Sequence, residues 1–157
     1  MNGYGGVETV CSDLINLIDR TNIEIDFIFI SLNETNRIEN RDWLSNAQYI
    51  ALASSSYASR QDIVCELSLV LERFHPEILI SLDTTSCNIA RLSYEKINFP
   101  VKTYYWLHTS IRNPTRQRIK DLCCADEHLV ISSDLRDQML SFGIKTEKLH
   151  LILTLSK

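Results

Sequence analysis

The sequence predicts an α/β fold, doubly wound and Rossmann-like, with a mainly parallel sheet and helices on both faces. Three observations carry that prediction. Strand patterns alternate with helical patterns of about 10 to 16 residues, the arrangement of right-handed βαβ crossovers. One of the strands, "EILISL" (77–82), is a nearly continuous apolar run, as a strand covered on both faces requires. Turn residues, among them His75-Pro76, Pro100, Asn113-Pro114 and Gly143, fall between the periodic segments.

The first element is helical. In "NGYGGVETVCSDLINLIDR" (2–20), Val7, Val10, Cys11, Leu14, Leu17 and Ile18 recur at helical spacing and predict an amphipathic helix. Ahead of it stand Gly3, Gly5 and Gly6. Bare backbone N–H groups at a helix start suit an anion such as a diphosphate, but the strand that a phosphate loop needs upstream is missing, and a flexible, glycine-rich start is the commoner reading of this local pattern. "IEIDFIFISL" (23–32) is a β-branched and aromatic strand, followed by a polar loop from Asn33 to Asp42. "AQYIALAS" (47–54) is a weaker strand.

"SRQDIVCELSLVLERF" (59–74) carries Ile63, Leu67, Val70, Leu71 and Phe74 at helical spacing, and His75-Pro76 stops it. "EILISL" (77–82) reads as a strand, "TTSCNIARLSYEKI" (84–97) as a helix and "VKTYYWLH" (101–108) as a strand entered from Pro100. Asn113 is expected to cap a helix that has Pro114 at its first position and runs to about Ala125. "EHLVIS" is a strand, Ser133 is expected to cap a helix ended by Gly143, and "KLHLIL" is the last strand.

Composition narrows the function. At 157 residues, 45% hydrophobic and 23% charged, the chain fits one domain over 1–157 with a sizeable core. A net charge of −4 argues against nucleic-acid binding, and no apolar run approaches the roughly 18 residues of a membrane span. With neither a basic nor an apolar leader at the start, a cytoplasmic location is expected. Cys11, Cys65, Cys87, Cys123 and Cys124 are odd in number and mostly helical, which suits buried, reduced thiols. Adjacent Cys123 and Cys124 point about 100° apart on a helix and do not chelate one ion with His128, so no metal site is expected.

In open α/β sheets ligands bind at the carboxyl ends of the strands. That rule selects Asp83, Thr84, Thr85 and Ser86, then His108, Thr109 and Ser110, then Ser132 and Ser133. Asp83 either orients a hydroxyl or caps the following helix. Arg112, Arg116, Arg118 and Lys120 form a basic face with no acid before Asp121, which reads as a solvated helix face or as a contact for phosphates or an anionic membrane surface.

"GYGGVETV", "FHPEILISLDTTSC", "YYWLHTS" and "CCADEHLVISSDLRDQMLSFGIKTEKLHLIL" occur in an order and spacing that resemble the N-terminal half of family 4 glycosyltransferases with the glycosyltransferase-B fold. The resemblance spans nearly the whole chain; the loop 33–42 matches nothing. It implies transfer of a hexose, galactose in the first instance, from a UDP-sugar to a saccharide acceptor such as a lipopolysaccharide core. It further implies retention of anomeric configuration, no metal or other cofactor, and a cytoplasmic enzyme, at most peripheral on the inner membrane face. Residue by residue, it places Gly5, Gly6 and Glu8 in the loop between acceptor and donor diphosphate, and makes His108 the histidine facing the donor sugar. On the acceptor side stand Asp83, Thr84, Thr109, Ser110, Arg112 and Arg116. Two departures are expected to matter. A first strand before the glycine loop is missing, and the chain stops where the family continues into its nucleotide-sugar-binding C-terminal domain. The chain thus reads as a fragment, inactive alone and marginally stable, or alternatively as a non-catalytic remnant that binds a saccharide or protein partner.

Overall fold

The computed structural model describes residues 6–21, 24–32, 44, 47–52 and 58–152. Two compact units divide the chain, Met1–Ile63 and Val64–Lys157.

The first unit opens with α1 (Gly6–Thr21). Its buried residues are Cys11 and Ile15, with Leu14 and Ile18 partly covered, whereas Leu17, expected in the stripe, is 58% exposed. Positions 11, 14, 15 and 18 share one side of a 3.6-residue helix, and position 17 lies off that side. Two short strands follow, β1 (Ile28–Ser31) and β2 (Gln48–Ala51), paired parallel with Ile28 opposite Gln48. The expected strand over 23–32 is thus only four residues long. The Phe29 and Tyr49 rings stack across the pair at 6.1 Å.

Most of α2 (Arg60–Phe74) belongs to the second unit. The expected helix started at Ser59, which instead stands before it and exchanges hydrogen bonds with Asp62. Asp62 Oδ2 accepts from the Ser59 N–H at 2.8 Å, and Ser59 Oγ accepts from the Asp62 N–H at 3.2 Å. At the other end His75 turns left-handed (φ +46°) ahead of Pro76, and its ring lies 4.5 Å from that of Phe99.

Then come β3 (Ile78–Ser81), α3 (Thr84–Tyr94), β4 (Lys102–Leu107), α4 (Arg116–Leu122), β5 (Glu127–Val130), α5 (Ser133–Ser141) and β6 (Leu149–Leu151). The four strands form one all-parallel sheet in the order β3-β4-β5-β6. Each crossover steps one strand in the same direction, so right-handed connections stack α3, α4 and α5 on one face. The core lies there. Tyr105 and Leu107 of β4, Val130 of β5 and Leu149 of β6 pack with Cys87 of α3, Leu122 of α4, and Leu135 and Met139 of α5. Leu122, Val130 and Met139 are fully buried, each side chain contributing about 1.5 to 3 kcal/mol. Among the described residues β3 has β4 as its one strand partner, and it leaves Ile78 and Ile80 54% and 38% exposed. On that same sheet face a charged row runs across the strands. Lys102 Nζ meets Glu127 Oε1 at 2.8 Å, and Glu127 Oε2 meets His150 Nε2 at 2.9 Å.

Two caps differ from expectation. Asn113 does not cap α4; it adopts φ +46°, a conformation that asparagine tolerates, and Thr115 two residues later accepts from the Arg118 N–H. The helix therefore begins at Arg116 and ends at Leu122, short of Ala125. Ser132, one residue before the expected Ser133, caps α5 through the Leu135 N–H at 3.2 Å. Gly143 ends this segment as expected, at φ +90°.

Of the five cysteines only Cys11 and Cys87 are buried; Cys65 and Cys123 are exposed and Cys124 is partly covered. Burial pushes Cys87 up to about 12. His128 is buried, with Nε2 2.8 Å from the Leu122 carbonyl. No helix among the described residues is long and apolar enough to cross a membrane.

Candidate functional site at the carboxyl ends of β3 and β4

The segments after β3 and β4 bring together most of the residues selected from the sequence. Asp83 follows β3 and caps α3. Its Oδ1 accepts from the Ser86 N–H at 2.9 Å, and Ser86 Oγ accepts from the Asp83 N–H at 3.1 Å. This capping box fixes Asp83 with one carboxylate oxygen committed to backbone. Thr84 opens α3, and its side chain bears on the Tyr105 hydroxyl of the adjacent strand. Burial raises the Tyr105 hydroxyl above its ordinary value, so it stays protonated.

His108 directly follows β4, on the same face as Trp106 by strand alternation. The two rings sit 4.8 Å apart, inclined by 33°. Trp106 is only 4% exposed, and both its Nε1 and His108 Nε2 are buried without a hydrogen-bond partner among the described residues. Such orphaned groups cost free energy unless water or a ligand meets them. Burial pushes the His108 imidazole below its usual value and keeps it neutral near pH 7. A neutral ring beside an unpaired indole N–H can hydrogen-bond a sugar hydroxyl without bringing a charge into the site.

The loop after His108 is pinned by a residue that sequence reasoning missed. Gln138, on α5, accepts from the Ile111 N–H at 2.9 Å and donates to the Ile111 carbonyl at 3.0 Å and to Ser110 Oγ at 3.3 Å. Ile111 is buried, so Thr109 and Ser110 are carried, exposed, between a fixed strand and a fixed loop residue. A second link missed earlier joins α3 to α4. Asn88, 4% exposed, donates to Asp121, which also accepts from Gln117 at 2.9 Å. Strand alternation signals Trp106 in advance; nothing in the sequence signals contacts 27 or 33 residues apart.

Arg112 and Arg116 are both exposed, in the loop before α4 and at its first residue. Gly6 and Glu8 lie in the first turn of α1, in the first unit, and Gly5 lies outside the described residues. A small cleft of the second unit, lined by Cys87, Arg91, Tyr94, Thr103, Cys124 and Asp126, takes in the start of β4 and the residues preceding β5 and does not include His108. Among the described residues no group of three or more His, Cys, Asp and Glu is arranged to hold a metal ion.

Comparison with known proteins gives a consistent direction. No protein-family profile matches the chain. It is 27% identical over 155 residues to the lipopolysaccharide 1,6-galactosyltransferase of Escherichia coli K12 and 26% identical over 157 residues to that of Salmonella typhimurium LT2, in each case over 97% of this chain and 42% of the relative. Among solved structures, the apo form of a lipopolysaccharide outer core galactosyltransferase superposes with a TM-score of 0.82 at 25% identity, over 98% of this chain and 43% of that one. The chain thus spans less than half the length of the relatives it matches. The mixed α/β fold is that of one part of a glycosyltransferase-B enzyme.

Proposed function

We propose that this chain, a homologue of lipopolysaccharide galactosyltransferases that matches less than half of their length, is the N-terminal, acceptor-side half of such an enzyme. The observation that carries the reading is the match itself, which runs over 97% of the chain and takes in the segment that positions His108. The reaction moves galactose from UDP-galactose to a hydroxyl of a lipopolysaccharide core. The bond from the anomeric carbon to the diphosphate oxygen breaks, a bond to the acceptor oxygen forms, and the acceptor proton leaves with the diphosphate. By resemblance the transfer retains configuration and needs no metal. The enzyme works in the cytoplasm, at most peripherally on the membrane.

In this reading His108 holds a donor-sugar hydroxyl through its unpaired Nε2, with the Trp106 ring fixing the imidazole plane. Its contribution is positioning of the anomeric carbon, not charge. Thr84, Thr109 and Ser110 offer hydroxyls, and Asp83 its second carboxylate oxygen, to the acceptor. By resemblance, the role of Gly5, Gly6 and Glu8 is toward the donor diphosphate.

Exchange of the matched segment tests the proposal. The 157 residues replace the corresponding segment of the E. coli galactosyltransferase, and incorporation of labelled galactose from UDP-galactose into lipopolysaccharide core oligosaccharide is measured. Transfer above that of the isolated remainder is expected. A folded hybrid that transfers nothing, or that uses another nucleotide sugar instead, contradicts it.

A further inference from the structure

The densest positive charge in the chain lies beside the site. Arg112, Arg116, Arg118 and Lys120 fall within nine residues, in a protein whose net charge is −4. All four are exposed, and none is in an ion pair with a described residue, whereas Lys102, Arg91 and Lys145 each have a carboxylate partner. The acid nearest in sequence, Asp121, spends its Oδ1 on the Asn88 and Gln117 amides and forms no ion pair with a described cation. Arg116 and Lys120 are four residues apart and share a helix face. Arg118, two residues after Arg116, lies off that face. The patch thus runs from the loop after His108 into α4. None of the strongly exposed large apolar side chains falls within 109–121, so this surface offers cations without a wedge for lipid.

We infer that Arg112, Arg116, Arg118 and Lys120 form a docking surface for phosphate groups carried by the saccharide acceptor, a role that rests on the acceptor-side reading above. Guanidinium forks match phosphate oxygens in paired hydrogen bonds, and cations left unpaired keep that capacity free. The surface holds the acceptor by its phosphates while Thr109 and Ser110, next to His108, meet its hydroxyls. Specificity for a phosphorylated over a neutral saccharide follows from it.

The test is equilibrium binding of the 157-residue chain to phosphorylated core oligosaccharide and to the same oligosaccharide after removal of its phosphates. The parent is expected to bind the phosphorylated form about tenfold more tightly. Raising NaCl from about 50 to 300 mM is expected to erase most of that difference, as screening shortens the reach of exposed charges to below about 10 Å. Arg116→Ser with Arg118→Ser is expected to abolish the preference, and Arg116→Lys with Arg118→Lys to keep about half of it, at unchanged thermal melts. Equal binding of both oligosaccharides overturns this inference and leaves the acceptor-side reading standing. Tighter binding to anionic phosphatidylglycerol vesicles than to the oligosaccharide, lost in the serine variant, also overturns it, making the surface a lipid contact. A hybrid enzyme that transfers no galactose, while phosphate-dependent binding persists, removes the galactosyltransferase reading and keeps the phosphate surface.

Discussion

Gln138 on α5 brackets the backbone of Ile111 in the loop that follows His108, accepting from its N–H at 2.9 Å and donating to its carbonyl at 3.0 Å. One side-chain amide thereby satisfies both polar groups of a buried loop residue, a service that water would otherwise have to perform. Gln138→Ala is expected to cost about 1 to 3 kcal/mol of stability, the penalty of leaving buried backbone groups unmet. Amide hydrogen exchange at Ile111 should speed by at least tenfold. Unchanged exchange there would show that the loop is held by something else.

The charged row across β4, β5 and β6 sets a pH limit. Hydrogen bonding from Lys102, then from His150, holds the Glu127 carboxyl down at about 2. Because the folded value lies below the unfolded one, the stabilisation is complete above about pH 4.5 and is lost as pH falls from there toward 2. Urea midpoints between pH 5 and 2.5 should drop more steeply for the parent than for Glu127→Gln. Parallel curves would contradict the assignment.

His108 and His128 are displaced the same way for a different reason, since burial disfavours both imidazolium forms. The unfolded chain takes up protons below about pH 6.5 that the folded chain refuses, so stability should fall as pH drops below that value. Two-dimensional NMR of the ring protons should find both residues neutral at pH 6.5. A His108 ring titrating at or above its ordinary value would undercut its role as a neutral hydrogen-bonding group.

Among the described residues β3 pairs with β4 alone and leaves Ile78 and Ile80 exposed, an arrangement that invites association between chains. The 157-residue chain is expected to self-associate at high concentration, and Ile78→Lys with Ile80→Lys to suppress this. Light scattering showing a monomer in both cases would mean that the edge is protected.

Much of the fold was legible because its signals are local. The alternation of apolar strands with amphipathic helices gave β3 to β6 and α2 to α5 in order, and "EILISL" and "VKTYYWLH" proved to be adjacent parallel strands. What failed depended on backbone choices or distant partners. Asn113-Pro114 reads as a helix start, yet the left-handed turn at Asn113 passes the cap to Thr115. Leu17 is as apolar as Ile15 but points away from the covered side of α1. The strand-end rule located His108, Asp83 and Thr84, because sheet topology determines where strand ends gather. It did not reveal Gln138 or Asn88, whose partners lie 27 and 33 residues away.

The most direct test is steady-state kinetics of the segment-exchanged hybrid with UDP-galactose and core oligosaccharide, comparing the parent with His108→Ala. Losing one positioning contact at the reacting sugar is expected to lower kcat/KM by about ten- to a hundredfold with the fold intact. A folded His108→Ala hybrid within twofold of its parent would contradict the account, because the carboxyl end of β4 would then not face the donor sugar.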